Sequence, residues 1–124
     1  MADINVTYVL RDDKMLLAPV SVAASQDKTI AWDSKDESTV MLVTVASGTA
    51  NVTVKAGNGV QGVQAQTFEC RTGTTAISLN SGRFMNTYGA NVGSVVINSS
   101  AACTVSVVSV QGYGDDNDPT IYPR

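Results

Sequence analysis

One stretch decides the fold of this chain: Thr39-Val-Met-Leu-Val-Thr-Val-Ala46-Ser-Gly-Thr-Ala-Asn-Val-Thr-Val-Lys-Ala56. Residues 39–46 are nearly all apolar and rich in β-branched side chains, which predicts a central strand covered on both faces. In residues 51–56 small apolar side chains alternate with polar ones, the period of a half-buried strand. Because Ser47-Gly48-Thr49 separates these two runs, the stretch predicts a β-hairpin.

Similar runs continue on both sides of this stretch. Ile4 to Leu10 alternates with a period of two, and Pro19 fits an edge strand or a connection. Within Cys103 to Val110 the valines change phase, which indicates a β-bulge or a change of sheet partner. Arg71-Thr72-Gly73-Thr74 is predicted to be a turn. Further strands are predicted at 29–32, 64–69, 76–79 and 91–98.

Composition agrees with strands rather than helices. The chain has 124 residues, of which 44% are hydrophobic and 15% charged, and it is rich in Val, Thr, Ser and Gly. We therefore predict an all-β fold, a single-domain antiparallel β-sandwich (jelly-roll or Ig-like) of about eight strands. The domain should span residues 1–110. Residues 111–124 should form a C-terminal tail, either frayed or an extended arm that orders on a neighbour.

Several classes of function are excluded or disfavoured. The absence of histidine excludes His-based triads and His-ligated zinc. A net charge of -3 without a basic patch argues against nucleic acid as a partner. No apolar run is long enough to span a membrane and no secretory signal is seen, so we expect a soluble protein made in a cytoplasm. Cys70 and Cys103 are interpreted as buried free thiols, with a disulfide as the alternative.

Three groups of residues contain side chains or backbone that could form a chemical site. The glycine-rich segment Gly57 to Val63 lacks the lysine and helix of a phosphate loop, so it is interpreted as a turn. Asp115-Asp116-Asn117-Asp118 resembles a calcium loop but lacks its glycine and distal glutamate. Glu37 and Glu69 are the only glutamates available as a glycosidase pair. We predict no catalytic, cofactor-binding or metal-binding residue, and hence a non-enzyme.

Three segments, in this order, resemble small virion proteins of tailed bacteriophages. The first is Val52-Thr-Val-Lys-Ala-Gly57 with the following Asn58-Gly-Val-Gln-Gly-Val-Gln64. The second is Leu79-Asn-Ser-Gly-Arg-Phe-Met85, in which Asn80 stands where those proteins have an acid. The third is the strand pair around 93–98 and 104–108. The resemblance covers roughly residues 40–110.

This resemblance implies a capsid decoration or cement protein on the outer head surface of the virion. The expected partner is the major capsid protein lattice, and a homotrimer is expected because decoration proteins sit around local symmetry axes. Adhesive termini should make the contacts, with these candidates: Ile4, Val6, Tyr113, Ile121, Tyr122 and Arg124.

Two further interpretations concern aromatic residues. A carbohydrate-binding or adhesin module is the alternative function, based on Trp32 and the tyrosines as a binding platform. Arg83 and Phe84 are interpreted as structural rather than as partner-contacting residues, with the guanidinium capping loop carbonyls beside a core aromatic ring.

Overall fold

Seven strands and one helical turn make up the described part of the chain. A computed structural model describes residues 3–32, 38–58, 64–87, 89 and 92–113. The all-β prediction is confirmed. The elements in chain order are β1 (Ile4–Arg11), β2 (Val20–Val22), β3 (Asp27–Ala31), β4 (Thr39–Val54), β5 (Gln66–Ile77), α1 (Ser81–Phe84), β6 (Ser94–Ser99) and β7 (Cys103–Tyr113).

Five of the strands close into a barrel. Around the ring, β7 pairs with β1, β1 with β3, β3 with β6, β6 with β4, and β4 with β7. The other two strands lie outside the ring: β2 pairs with the start of β7, and β5 pairs with β4. This closed sheet is not clearly a sandwich. It is also not wholly antiparallel as predicted, because β1 runs parallel to both of its neighbours.

The predicted hairpin within residues 39–56 is wrong, because β4 is one strand of 16 residues. Residues 39–44 pair with β7 and residues 52–54 pair with β6. Between these two halves the register with β5 shifts: Val45 lies opposite Gly73 and Thr49 opposite Arg71. Gly48 sits in this bulge with a φ of 76°, a conformation that favours glycine. Ser47-Gly48-Thr49 therefore bends one strand from one part of the barrel into the next.

The predicted turn at Arg71-Thr72-Gly73-Thr74 is also wrong, since these residues lie inside β5. Gly73 has a φ of 116° and faces the bulge of β4. A glycine on each strand lets both strands bend at the same place, and their pairing resumes at Thr49 and Arg71. The true hairpin consists of β4 and β5, with residues 55–65 between them.

Buried and more exposed side chains alternate along β4, so the strand is not covered on both faces as predicted. Thr39, Met41, Val43 and Val45 are buried, while Thr44 between them is exposed. The core is therefore the interior of the barrel, filled from one side of each strand. Its largest fully buried side chains are those of Trp32, Ile4, Ile30, Met41 and Ile97, packed among valines from β2, β4, β6 and β7.

Two smaller predictions are confirmed. β7 changes partner along its length, pairing with β2 at residues 103–105 and with β1 at residues 107–113. Pro19 immediately precedes β2, which in the described residues pairs with β7 alone. A proline has no amide hydrogen to donate, so it is tolerated at the start of such a strand.

The segments that carry the resemblance have structural roles in this barrel. A Cβ atom built on Gly57 would come within 2.3 Å of the backbone oxygen of Met85, so only glycine fits between β4 and the residue after α1. The amide of Gly57 donates to the carbonyl of Arg83 at 3.0 Å. The Arg83 guanidinium lies 5.0 Å from the ring centroid of buried Phe84. The part of the interpretation that places Arg83 beside a core aromatic ring is confirmed.

Candidate interaction surface

Two of the residues predicted to contact a partner lie in the barrel instead. Ile4 is buried in the core, and Val6 is half-buried and packs against it. Both point inward because the alternation of β1 places Ile4 and Val6 on the same side as Val107 of β7. Tyr113 ends β7 opposite Arg11, so the strand continues three residues beyond 110. Ile121, Tyr122 and Arg124 lie outside the described residues.

The structure exposes other apolar side chains, at the end of the barrel where β7 finishes. Tyr8 on β1 is 40% exposed and Val110 on β7 is 45% exposed. The two lie on paired strands, since Tyr8 is opposite Ser109 and Val9 is opposite Val110. Val9, Val40 and Val108 are half-buried and share the outer face of the sheet with Val110 across three strands, whereas Tyr8 has the opposite phase on β1.

The connection after β1 adds two larger side chains. Met15 is 57% exposed and Leu16 is 92% exposed. The turn before them is closed by the amide of Asp13 donating to the carbonyl of Leu10 at 3.0 Å, with Asp12 at a φ of 65°. We call Met15 and Leu16, which follow the end of β1, together with Val110 near the adjacent end of β7, the apolar end surface.

Charged residues border this apolar end surface. Arg11, Asp12, Asp13 and Lys14 are all exposed in the turn between Tyr8 and Met15. An apolar centre with a polar, charged border is the usual composition of a protein–protein interface. This surface was not predicted from the sequence. The signal for it is the apolar triplet Met15-Leu16-Leu17, because Pro19 argues against a central strand that would bury these side chains.

The outer face around β3 and β6 is polar, by contrast. Asp27 on β3 accepts hydrogen bonds from Lys55 Nζ at 2.8 Å and from Asn98 Nδ2 at 2.7 Å. In the same row, the hydroxyls of Thr53 and Thr67 lie 2.9 Å apart. Polar side chains thus occupy the outward positions along this row of strands.

Two carboxylates on this side are held in their charged form. Lys55 and then Asn98 lower the pKa of Asp27 from its ordinary value. The pKa of Asp3 is lowered mainly by the backbone amide of Thr29, which donates to Asp3 Oδ2 at 3.0 Å. Both carboxylates are mostly exposed to solvent, so each contributes less than about 1 kcal/mol.

The lowered pKa values predict acid sensitivity. A carboxylate with a lower pKa in the folded state than in the unfolded state stabilises the fold above its unfolded pKa, and this stabilisation is lost as the pH falls through the folded pKa. We expect the free energy of unfolding to fall from about pH 5 downward. Asp27→Asn and Lys55→Met should each reduce this dependence, and the double variant should add little more. Urea unfolding across pH measures the effect; additive losses in the double variant would contradict the ion pair.

An open concavity of about 630 Å³ lies on another part of the surface, between β2, β4 and β7. Its lining is largely apolar. Cys103 is the one ionisable side chain among the residues that line it: Ser21, Val22, Ala23, Gln26, Thr44, Ala46, Ala102, Cys103 and Thr104.

The two cysteines are buried free thiols, as predicted. Burial raises the pKa of Cys70, which keeps this sulfur as the less nucleophilic thiol. Cys103 Sγ lies 3.6 Å from the hydroxyl oxygen of Ser99. Among the described residues, no three His, Cys, Asp or Glu side chains group as metal ligands. The acidic segment 115–118 and Glu37 lie outside that part of the chain.

The residue that motivated the carbohydrate-binding interpretation is buried. Trp32 lies in the core, and its amide donates to the carbonyl of Gly93 at 3.3 Å. A buried ring cannot stack on a sugar at the surface. The alternative function therefore loses its main residue.

The described residues contain no helix long and apolar enough to cross a membrane. Comparison of the chain with protein-family models, with curated proteins and with solved structures finds no match.

Proposed function

We propose that this protein is a non-enzymatic structural component of a phage virion that decorates and cements the outer surface of the capsid. Its partner is the major capsid protein lattice, and three copies surround each local symmetry axis. The observation that carries the proposal is the apolar end surface, where Met15 and Leu16 stand exposed beside a charged turn. The resemblance of residues 40–110 to small virion proteins supports the same role.

The mechanism of cementing is mass action. A protein that binds the assembled shell more tightly than its loose subunits shifts the equilibrium toward the intact shell. A small barrel suits this task, because its β-sheet holds the exposed side chains in fixed positions and little ordering accompanies binding. The apolar end surface supplies the central contacts, and the neighbouring Arg11, Asp12, Asp13 and Lys14 supply the polar border.

The test is binding of the purified chain to parent capsids from which the auxiliary proteins have been stripped. Leu16→Glu places a charge in the centre of the proposed contact and should weaken binding by about tenfold or more. Val92→Glu is the matched control: Val92 is 59% exposed but lies in the turn before β6. Co-sedimentation measures both. Equal binding by the two variants, or no density for the chain on the head in electron microscopy, would overturn the proposal.

A second prediction concerns the C-terminal residues. Because β7 runs to Tyr113 and pairs with Arg11, a truncation that preserves the barrel must begin after Tyr113. We expect the shortened chain to fold with an unchanged melting temperature and to bind stripped capsids more weakly, since it lacks Ile121, Tyr122 and Arg124. Capsid occupancy and circular dichroism are the two measurements. Unchanged occupancy would assign the contact to the barrel alone.

A further inference from the structure

β5 leaves one edge of the sheet open in the described part of the chain. It has 12 residues and pairs there with β4 alone. The backbone groups along such an edge can pair with another strand. β5 contains no proline, so every residue retains its amide hydrogen.

The edge carries two opposite charges, two residues apart. Glu69 and Arg71 point outward on the same face, and their side chains are 58% and 79% exposed. Arg71 Nη2 lies 3.5 Å from Glu69 Oε1. A pair this exposed contributes little to the stability of its own chain, which leaves both groups available to an incoming strand.

We propose that β5 pairs with β5 of a second copy of this chain, antiparallel, about a two-fold axis at Cys70. In such a two-fold contact, a residue that follows the axis position in one copy lies opposite the residue that precedes it by the same number of positions in the other copy. An axis at Cys70 places Glu69 opposite Arg71 of the second copy, and Arg71 opposite Glu69 of the second copy. One two-fold axis thus forms two pairs of opposite charges between the copies.

The same charges oppose the neighbouring registers. An axis at Glu69 would place two glutamates directly opposite each other, and an axis at Arg71 would place two arginines opposite each other. Like charges in directly opposed positions destabilise a strand pair, while opposite charges stabilise it. The order Glu-Cys-Arg therefore selects one register by attraction and rejects the adjacent two by repulsion.

The residues one step further out fit this register. Phe68 lies opposite Thr72 of the second copy, an aromatic side chain beside a β-branched one, which is a favourable cross-strand pair. Cys70 itself stays in the core of its own barrel. The pairing thus extends from Phe68 to Thr72, before Gly73 bends the strand.

This contact does not depend on the proposed virion role, and it is compatible with it. A two-fold contact can join copies that belong to neighbouring trimers on a shell. In solution the contact produces dimers, or hexamers where trimers also form.

Charge reversal tests the contact by sedimentation equilibrium of the isolated chain. Glu69→Arg makes the edge wholly positive and Arg71→Glu makes it wholly negative, so each variant alone should self-associate about tenfold more weakly or worse. An equimolar mixture of these two variants should recover association as a mixed pair. The double exchange Glu69→Arg with Arg71→Glu should recover it within one chain. Val92→Glu, which places a charge in the exposed turn before β6, is the control and should associate like the wild type.

The outcomes separate this inference from the proposed function. A wild-type chain that stays monomeric at millimolar concentration overturns the two-fold contact, as does an odd-numbered assembly that charge reversal leaves intact. Single variants that lose association without recovery in the mixture also overturn it. Because all the altered side chains are exposed, circular dichroism should show unchanged folding. Capsid binding plays no part in the measurement, and the Leu16→Glu experiment does not involve β5.

Discussion

Trp32→Ala will destabilise the folded chain by about 3–5 kcal/mol, because it removes the largest side chain of the core and leaves a cavity that the barrel cannot fill. Trp32 is fully buried and belongs to the core cluster of the barrel. A loss of this size is a large part of the 5–15 kcal/mol that stabilises a typical domain. Urea unfolding followed by circular dichroism measures it.

Trp32→Phe is the matched variant. It keeps an aromatic ring and most of the buried area, so the loss should be well under half of that of the alanine variant. If Trp32→Ala lost less than about 1 kcal/mol, the ring would not be in the core.

The burial of Trp32 also affects how glycan binding should be tested. Any loss of binding in Trp32→Ala would follow from unfolding, so Tyr8→Ala is the better variant for testing a surface platform.

Gly57→Ala will destabilise the chain by about 2–4 kcal/mol through a steric clash with backbone. The added Cβ would lie 2.3 Å from the oxygen of Met85 and 2.8 Å from the carbonyl carbons of Phe84 and Met85. These atoms belong to main chain that is held by the hydrogen bond from Gly57 to Arg83. These main-chain atoms cannot move aside as a flexible side chain would. The segment that follows β4 and the end of α1 must therefore move apart.

Gly48→Ala is the control, because its loss of stability would have a different physical cause. Nothing lies within 4 Å of a Cβ built at Gly48, but its φ is 76°, so only the left-handed conformation opposes the change, by about 1 kcal/mol. Thermal unfolding of both variants should place Gly57→Ala well below Gly48→Ala. A lower melting temperature for Gly48→Ala than for Gly57→Ala would contradict the close approach of Gly57 to the Met85 backbone.

The comparison of sequence and structure is instructive at residues 39–56. The pattern identified correctly which side chains prefer burial, but a bulge and a hairpin turn look alike locally, since both contain a small polar segment with a glycine. Whether the chain reverses at Ser47-Gly48-Thr49 depends on β6 and β7, some fifty residues later, which follow one another along the same edge of β4. Arg71–Thr74 was mistaken for a turn for the same reason.

At the candidate interaction surface, too, the sequence alone did not determine which apolar side chains are exposed. Ile4 and Val6 were expected at an interface because they lie near the chain terminus, but parallel pairing of β1 with β7 and β3 carries both into the barrel. Position along the chain does not determine burial; the pairing of the strand does. Met15 and Leu16 are exposed because the connection to β2 lies outside the ring of strands.

The amino-acid sequence alone determined that this chain is all-β and that most of its strands fall where valines and threonines alternate. These properties follow from the residues themselves, since β-branched side chains favour extended backbone and periodicity marks the face to be buried. The tertiary structure alone decided the closure of the barrel, the parallel pairs of β1, the bend of β4 and the open edge of β5. Each of these depends on contacts between distant segments, whose free energy is gained only when the whole sheet assembles.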